Sequence, residues 1–103
     1  MKHIKLFEEL DIPKDGDYVL IHEKFEFHDN EFFALLENFI NNNIGKIIGI
    51  FTYRVIVEYF DIPEKIKYFF SIHNSREVNL HKIISFGTKE QMELELQAKK
   101  YNL

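Results

Sequence analysis

Lys46–Phe60 reads KIIGIFTYRVIVEYF. β-Branched and aromatic residues fill it, and such side chains suit the pleated, half-buried surface of a sheet. The stretch is too long for one ordinary strand. It is either one bent strand or two strands that break near Thr52. Extended, Tyr53, Val55, Val57 and Tyr59 line one face, and Arg54, Ile56, Glu58 and Phe60 line the other. Neither face is wholly polar, which points to a central strand covered on both sides.

Working back toward the N-terminus, DNEFFALLENFINNN places Phe32, Phe33, Leu35, Leu36, Phe39 and Ile40 at helical spacing. Asp29 or Asn30 is positioned to cap its first turn, and Asn43-Ile44-Gly45 to end it. Before it, Tyr18–Phe27 alternates as a strand with Val19, Ile21, Phe25 and Phe27 on one face. Glu23 interrupts that face, the mark of a bulge or a sheet edge. Lys14–Asp17 is a turn in which Gly16 takes positive φ. His3–Leu10 fits a short strand or one to two helical turns, stopped by Asp11-Ile12-Pro13.

Toward the C-terminus, Asp61–Glu64 is a turn. Lys67–His73 and Glu77–Phe86 read as two strands around the polar loop Asn74-Ser75-Arg76. In the second, Lys82 interrupts a face made by Val78, Leu80, Ile84 and Phe86. From Met92 to Ala98 polar and apolar residues alternate as in a strand, yet the residue types are strong helix formers. Thr88 precedes Gln91 by three, which makes a capping box, so Thr88 to about Tyr101 reads as a helix. On that helix Met92 and Leu96 share one side, while Leu94, Ala98 and Tyr101 fall nearly opposite. One stripe packs on the protein; the other needs a second cover, most simply a second copy of the chain.

These elements make an α+β protein, one domain over residues 1–103. Its sheet is mainly antiparallel with four or five strands, and its two helices span about 29–43 and 88–101. The first helix connects the Tyr18 and Lys46 strands, and the later strands form a meander. LFEELDIPKDGDYVLIH and VIVEYFDIPEKIKYFFSIH share Asp-Ile-Pro and an Ile-His ending, the trace of a weak internal duplication or of one turn chemistry used twice.

The chain carries a net charge of −4, eleven Phe, five Tyr and no Cys. Without cysteine there is no disulfide, thiolate metal site or Cys nucleophile. No basic stripe advertises a nucleic-acid partner. The longest uncharged run, Ile47–Tyr53, is far too short to span a membrane, and no signal peptide opens the chain, so a cytoplasmic protein is expected. The four glycines are isolated, which excludes a Gly-rich phosphate loop. Histidines 3, 22, 28, 73 and 81 show no metal-ligand spacing, and no cofactor is expected.

His22 and His73 each follow an apolar strand-like run. His73-Asn74-Ser75 resembles half of the hydrophobic-His-x-Ser/Thr signature of the two-histidine phosphodiesterases. That resemblance implies a base and an acid disposed across a phosphate. His22, followed by Glu23-Lys24, lacks the hydroxyl such a signature needs. Tyr53, Arg54 and Tyr59 suit a protein interface, where Tyr and Arg concentrate binding energy. The same aromatics suit a stacking platform for single-stranded nucleic acid, a reading that the acidic balance opposes. The expectation is a small non-enzymatic protein-interaction module with Leu94, Ala98, Tyr101, Tyr53, Arg54 and Tyr59 at its contacts. Its scarcity of alanine and wealth of Phe, Ile, Lys and Asn fit a regulatory or inhibitory protein of a virus, phage or mobile element. The alternatives are a phosphodiesterase-like or nucleotide-binding module using His22 and His73, and nucleic-acid binding through the aromatics.

Overall fold

The computed structural model describes residues 12–26 and 31–100. The His3–Leu10 segment, the capping residues Asp29 and Asn30, and Tyr101 lie outside them. Among the described residues, five strands form one antiparallel sheet: β1 (Tyr18–Ile21), β2 (Gly45–Ile50), β3 (Arg54–Glu58), β4 (Ser75–Asn79) and β5 (Ile83–Gly87). Helix α1 (Glu31–Asn41) joins β1 to β2, and α2 (Lys89–Lys100) follows β5. The order across the sheet is β4-β3-β2-β1-β5. This is the α+β architecture with two helices that the periodicities anticipate.

The Lys46–Phe60 stretch resolves as two strands, with the break at Phe51–Tyr53, where the Phe51 N–H donates to the Arg54 carbonyl at 2.7 Å. Other boundaries differ from the sequence reading, each for a physical reason. The Tyr18 strand stops at Ile21 rather than Phe27, because backbone groups beyond it bond to side chains of α1. The Glu23 N–H donates to Asn41 Oδ1 (2.7 Å), Asn41 Nδ2 donates to the Glu23 carbonyl (2.9 Å), and the Phe25 N–H donates to Glu37 Oε1 (2.8 Å). Glu37 and Asn41 are one helical turn apart, so they meet the segment at consecutive points.

Lys67–His73 is not a strand. Two 3-10 helices, Glu64–Phe69 and Ile72–Asn74, take its place. Phe69 packs on Phe33 (ring centroids 5.3 Å) and the adjacent Phe70 packs on Phe39 (6.2 Å), so both rings reach α1. A strand would send consecutive side chains to opposite faces. The sequel to Asp61-Ile62-Pro63 therefore differs from that to Asp11-Ile12-Pro13, where a turn leads into β1. Ile62 is buried and Ile12 is exposed, so in the described residues the two copies of the motif do different work.

Glu77–Phe86 is also divided, and its division shapes the whole molecule. Its halves belong to β4 and β5, the two edges of the sheet, joined by a 3-10 helix of three residues, Leu80–Lys82. From Asn79 to Ile83 the chain reaches at most roughly 14 Å. Across a flat sheet, four strand spacings alone amount to about 19 Å. The sheet must therefore coil into a partly open barrel that brings its edges together. Hydrogen bonds fix the connection at each end: the Leu80 N–H donates to the Tyr53 carbonyl (2.8 Å), and the His22 N–H donates to the Lys82 carbonyl (3.0 Å).

The concave side holds one continuous core: Val19, Ile21, Ile47, Val55, Val57, Val78, Ile83 and Phe86 against Leu36, Phe39 and Ile40 of α1 and Ile62 and Ile66 of the β3–β4 connection. On the convex side α2 covers β1 and β5, where Met92 is fully buried. Ser85 Oγ, on that side, donates to Glu95 Oε1 at 2.5 Å. On the outer face of β3, Arg54 is exposed and Ile56 and Glu58 are half-buried, which corrects the expectation of a strand fully covered on both sides.

The capping box is formed as read: the Thr88 N–H donates to Gln91 Oε1 (2.9 Å) and the Gln91 N–H donates to Thr88 Oγ1 (3.2 Å). The end of α1 is not. Gly45 is the first residue of β2 rather than a left-handed cap. Asn42 and Asn43 instead donate their side-chain amides to the carbonyls of Asn38 and Phe39, both at 2.8 Å, and Lys99 Nζ donates to the Asn41 carbonyl at 2.9 Å. Gly45 serves packing: a Cβ there would overlap Val57 Cγ1 and press within 3.1 Å of the Tyr59 ring. Gly45→Ala is expected to destabilise the fold by about 1–3 kcal/mol through overpacking, read as a lower urea midpoint at an unchanged m-value. Thr88→Ala is expected to cost about 1 kcal/mol in the same assay.

Candidate functional site

Two charges that interrupt apolar faces in the sequence turn out to be partners. Glu23 lies just beyond β1 and is almost wholly buried, while Lys82 ends the connection into β5. Lys82 Nζ donates to Glu23 Oε1 at 2.5 Å. A carboxylate this buried requires such a partner, and removing one member of a buried pair costs roughly 3–5 kcal/mol.

Arg76, near the start of β4, lies in the field of the same carboxylate. Its guanidinium sits over the rings of Phe25 (5.9 Å) and Phe70 (5.8 Å), and its Nη1 donates to the Phe69 carbonyl at 3.3 Å. Burial pushes the Arg76 guanidinium below its ordinary range, opposed by Glu23 and Tyr59. Tyr59 is completely buried against Phe39 and Phe70, and its hydroxyl has no hydrogen-bond partner among the described residues. Burial raises the Tyr59 phenol well above its usual range, against the pull of Arg76. Glu23, Lys82, Arg76 and Tyr59 thus couple the segment after β1 to the β4–β5 connection, β4 and the end of β3.

The two histidines lie on different elements, His22 just beyond β1 and His73 between β3 and β4. The His22 N–H bonds to Lys82, two residues from the Leu80 N–H that bonds to Tyr53; His73 adjoins Asn74, whose carbonyl accepts from the Tyr59 N–H at 3.0 Å. Both imidazoles are exposed, and His73 sits in a left-handed conformation (φ 65°) within a 3-10 helix rather than on a strand. Among the described residues no group of three His, Cys, Asp or Glu side chains could hold a metal ion, and no helix is long and apolar enough to cross a membrane.

The expected contact residues divide. Tyr59 belongs to the core, so it cannot serve an interface, and the Tyr53–Val55–Val57–Tyr59 face is an interior wall from Val55 onward rather than a stacking platform. Tyr53 stands 78% exposed beside Phe51 in the β2–β3 turn, and Arg54 pairs with Glu77 across β3 and β4. Leu94 is exposed on the outer side of α2, and Ala98 is half-buried.

A further surface escapes the sequence reading. Between β3 and β4 the chain closes a tight tip, Ser71–Ser75. The Ser71 N–H donates to the Ser75 carbonyl (2.7 Å), the Asn74 N–H to the Ser71 carbonyl (3.1 Å), and Ser75 Oγ to the Ile72 carbonyl (2.9 Å). His73 and Asn74 both hold positive φ, 65° and 57°. Left-handed backbone at non-glycine residues costs on the order of 1 kcal/mol each, and persists where the surroundings over-determine it. The tip holds Ile72 79% exposed. Tyr68, stacked on Phe69 at 4.4 Å, and Phe60, next to the Tyr59–Asn74 bond, are also exposed nearby. Strand parity does not reveal this surface, because periodicity places these residues on a strand that does not form.

Comparisons with known proteins found no match among family models, curated proteins or solved structures.

The buried phenol has a measurable consequence. In the unfolded chain Tyr59 ionises near pH 10, while the folded state holds it neutral. Its effect on stability is therefore nil below that pH, and stability is lost as pH rises through it. Tyr59→Phe is expected to remain folded at neutral pH and to retain about 1.4 kcal/mol more of its stability than wild type at roughly pH 11, read from urea midpoints at both pH values.

Proposed function

We propose that this protein is a small non-enzymatic binding module that engages another protein through the turns at the ends of its barrel. The observation that carries the reading is the Ser71–Ser75 tip, where hydrogen bonds and two left-handed residues hold Ile72 in solvent. A binding loop ordered before contact loses less conformational entropy on association. Exposed Tyr68 and Phe60 beside it, and Tyr53 with Phe51 at the other end of β3, supply the aromatic contact area typical of interface anchors. Neither alternative has comparable support: His73 sits in a 3-10 helix rather than on the strand such a signature needs, and the aromatic face of β3 is mostly core.

Affinity capture from the native cell tests the reading when wild type is compared with Ile72→Asp, Tyr53→Ala and a His22→Ala/His73→Ala double variant. A specific protein is expected to co-purify with wild type and the double-histidine variant, and to be depleted at least tenfold by Ile72→Asp without a change in melting temperature. Capture of no protein, or capture by Ile72→Asp at the wild-type level, contradicts it.

A further inference from the structure

The inner side of α2 is fully engaged. Met92 is buried against the sheet, Glu95 accepts from Ser85, and Lys99 reaches the Asn41 carbonyl at the end of α1. The outer side carries a groove of about 560 Å³ lined, among the described residues, by Glu90, Glu93, Leu94, Leu96, Gln97 and Lys100. Leu94 is 68% exposed on it. Acidic side chains occupy its first half, and Lys100 its end.

From this arrangement we propose that α2 pairs antiparallel with α2 of a second copy of the chain. The charge order chooses both occupant and direction. A parallel pair would set Glu90 against Glu90 and Lys100 against Lys100. An antiparallel pair with its two-fold axis between Leu94 and Gln97 sets Glu90 and Glu93 of each copy near Lys100 of the other, and brings the two Leu94 side chains together at the centre. A two-fold contact of this kind is self-complementary by construction. Twelve residues make a helix about 18 Å long, so the contact is small and the dimer weak, formed by mass action at high concentration. The inference extends the reading of the protein as a binding module, but its test needs no other protein, so the two fail separately.

Sedimentation equilibrium of the full chain, from roughly 10 µM to 1 mM, reads the outcome. Wild type is expected to pass from monomer toward dimer across this range, and to do so less at high salt. Leu94→Glu is expected to stay monomeric throughout, with an unchanged far-UV circular dichroism spectrum. Glu90→Lys and Lys100→Glu are each expected to weaken association about tenfold, and their combination to restore it. A wild-type chain that stays monomeric at the highest concentration overturns the proposal, including the case in which residues 1–11 of the same chain occupy the groove. So does a dimer indifferent to Leu94→Glu or to the paired charge reversal.

Discussion

Three residues between β4 and β5 constrain the rest of this structure. Strands at opposite edges of a sheet ordinarily need a long crossover, and Leu80–Lys82 allows none. The sheet coils as a result, and its concave face becomes a single interior large enough for α1 to close. The same connection delivers Lys82 to Glu23, so the geometric closure and a buried ion pair coincide. Aromatic packing then follows the closure: Tyr59, Phe39 and Phe70 meet at the barrel end, and Gly45 is small because Val57 and Tyr59 lie over it.

Much of this was legible in the sequence, wherever a local rule met no tertiary competitor. The Thr88–Gln91 box, the Gly16 turn and the break in Lys46–Phe60 depend on chemistry within a few residues, and all three form. The failures share another cause. Glu77–Phe86 alternates without a glycine or proline at its middle, so nothing local marks Leu80–Lys82 as a corner; only closure with β1 and β3 puts it there. Lys67–His73 has a strand's composition, but two adjacent phenylalanines are both drawn to α1. Glu23 and Lys82 were the instructive case. Each looked like an edge defect by itself, and their opposite signs on two apolar faces were the available hint that they meet.

The candidate surface was less legible than the fold, for a reason that is also physical. Exposure belongs to tertiary structure, and alternation assigns a side chain to a face without saying whether that face is covered. Tyr53 and Tyr59 have the same parity on β3, yet one stands in solvent and the other has no accessible surface. Likewise Met92 and Leu94 alternate in a helix, where alternation means two sides rather than two faces of a sheet. Left-handed residues at His73 and Asn74 are invisible to periodicity, and they are what turns Ile72 outward. Among the described residues, exposed apolar side chains remain at the barrel ends, on the outer side of α2, and singly on the sheet and α1 at Ile48, Ile50, Ile84 and Leu35.

Closure of the sheet through Leu80–Lys82 is the claim on which the account stands. The most direct measurement is NMR scalar coupling through hydrogen bonds in labelled protein. Couplings are predicted between the Leu80 amide nitrogen and the Tyr53 carbonyl carbon, and between the His22 amide nitrogen and the Lys82 carbonyl carbon. Both should be accompanied by slow amide exchange, although neither donor belongs to a strand. Absence of both couplings, with fast exchange at Leu80 and His22, would mean an open sheet and would contradict the account.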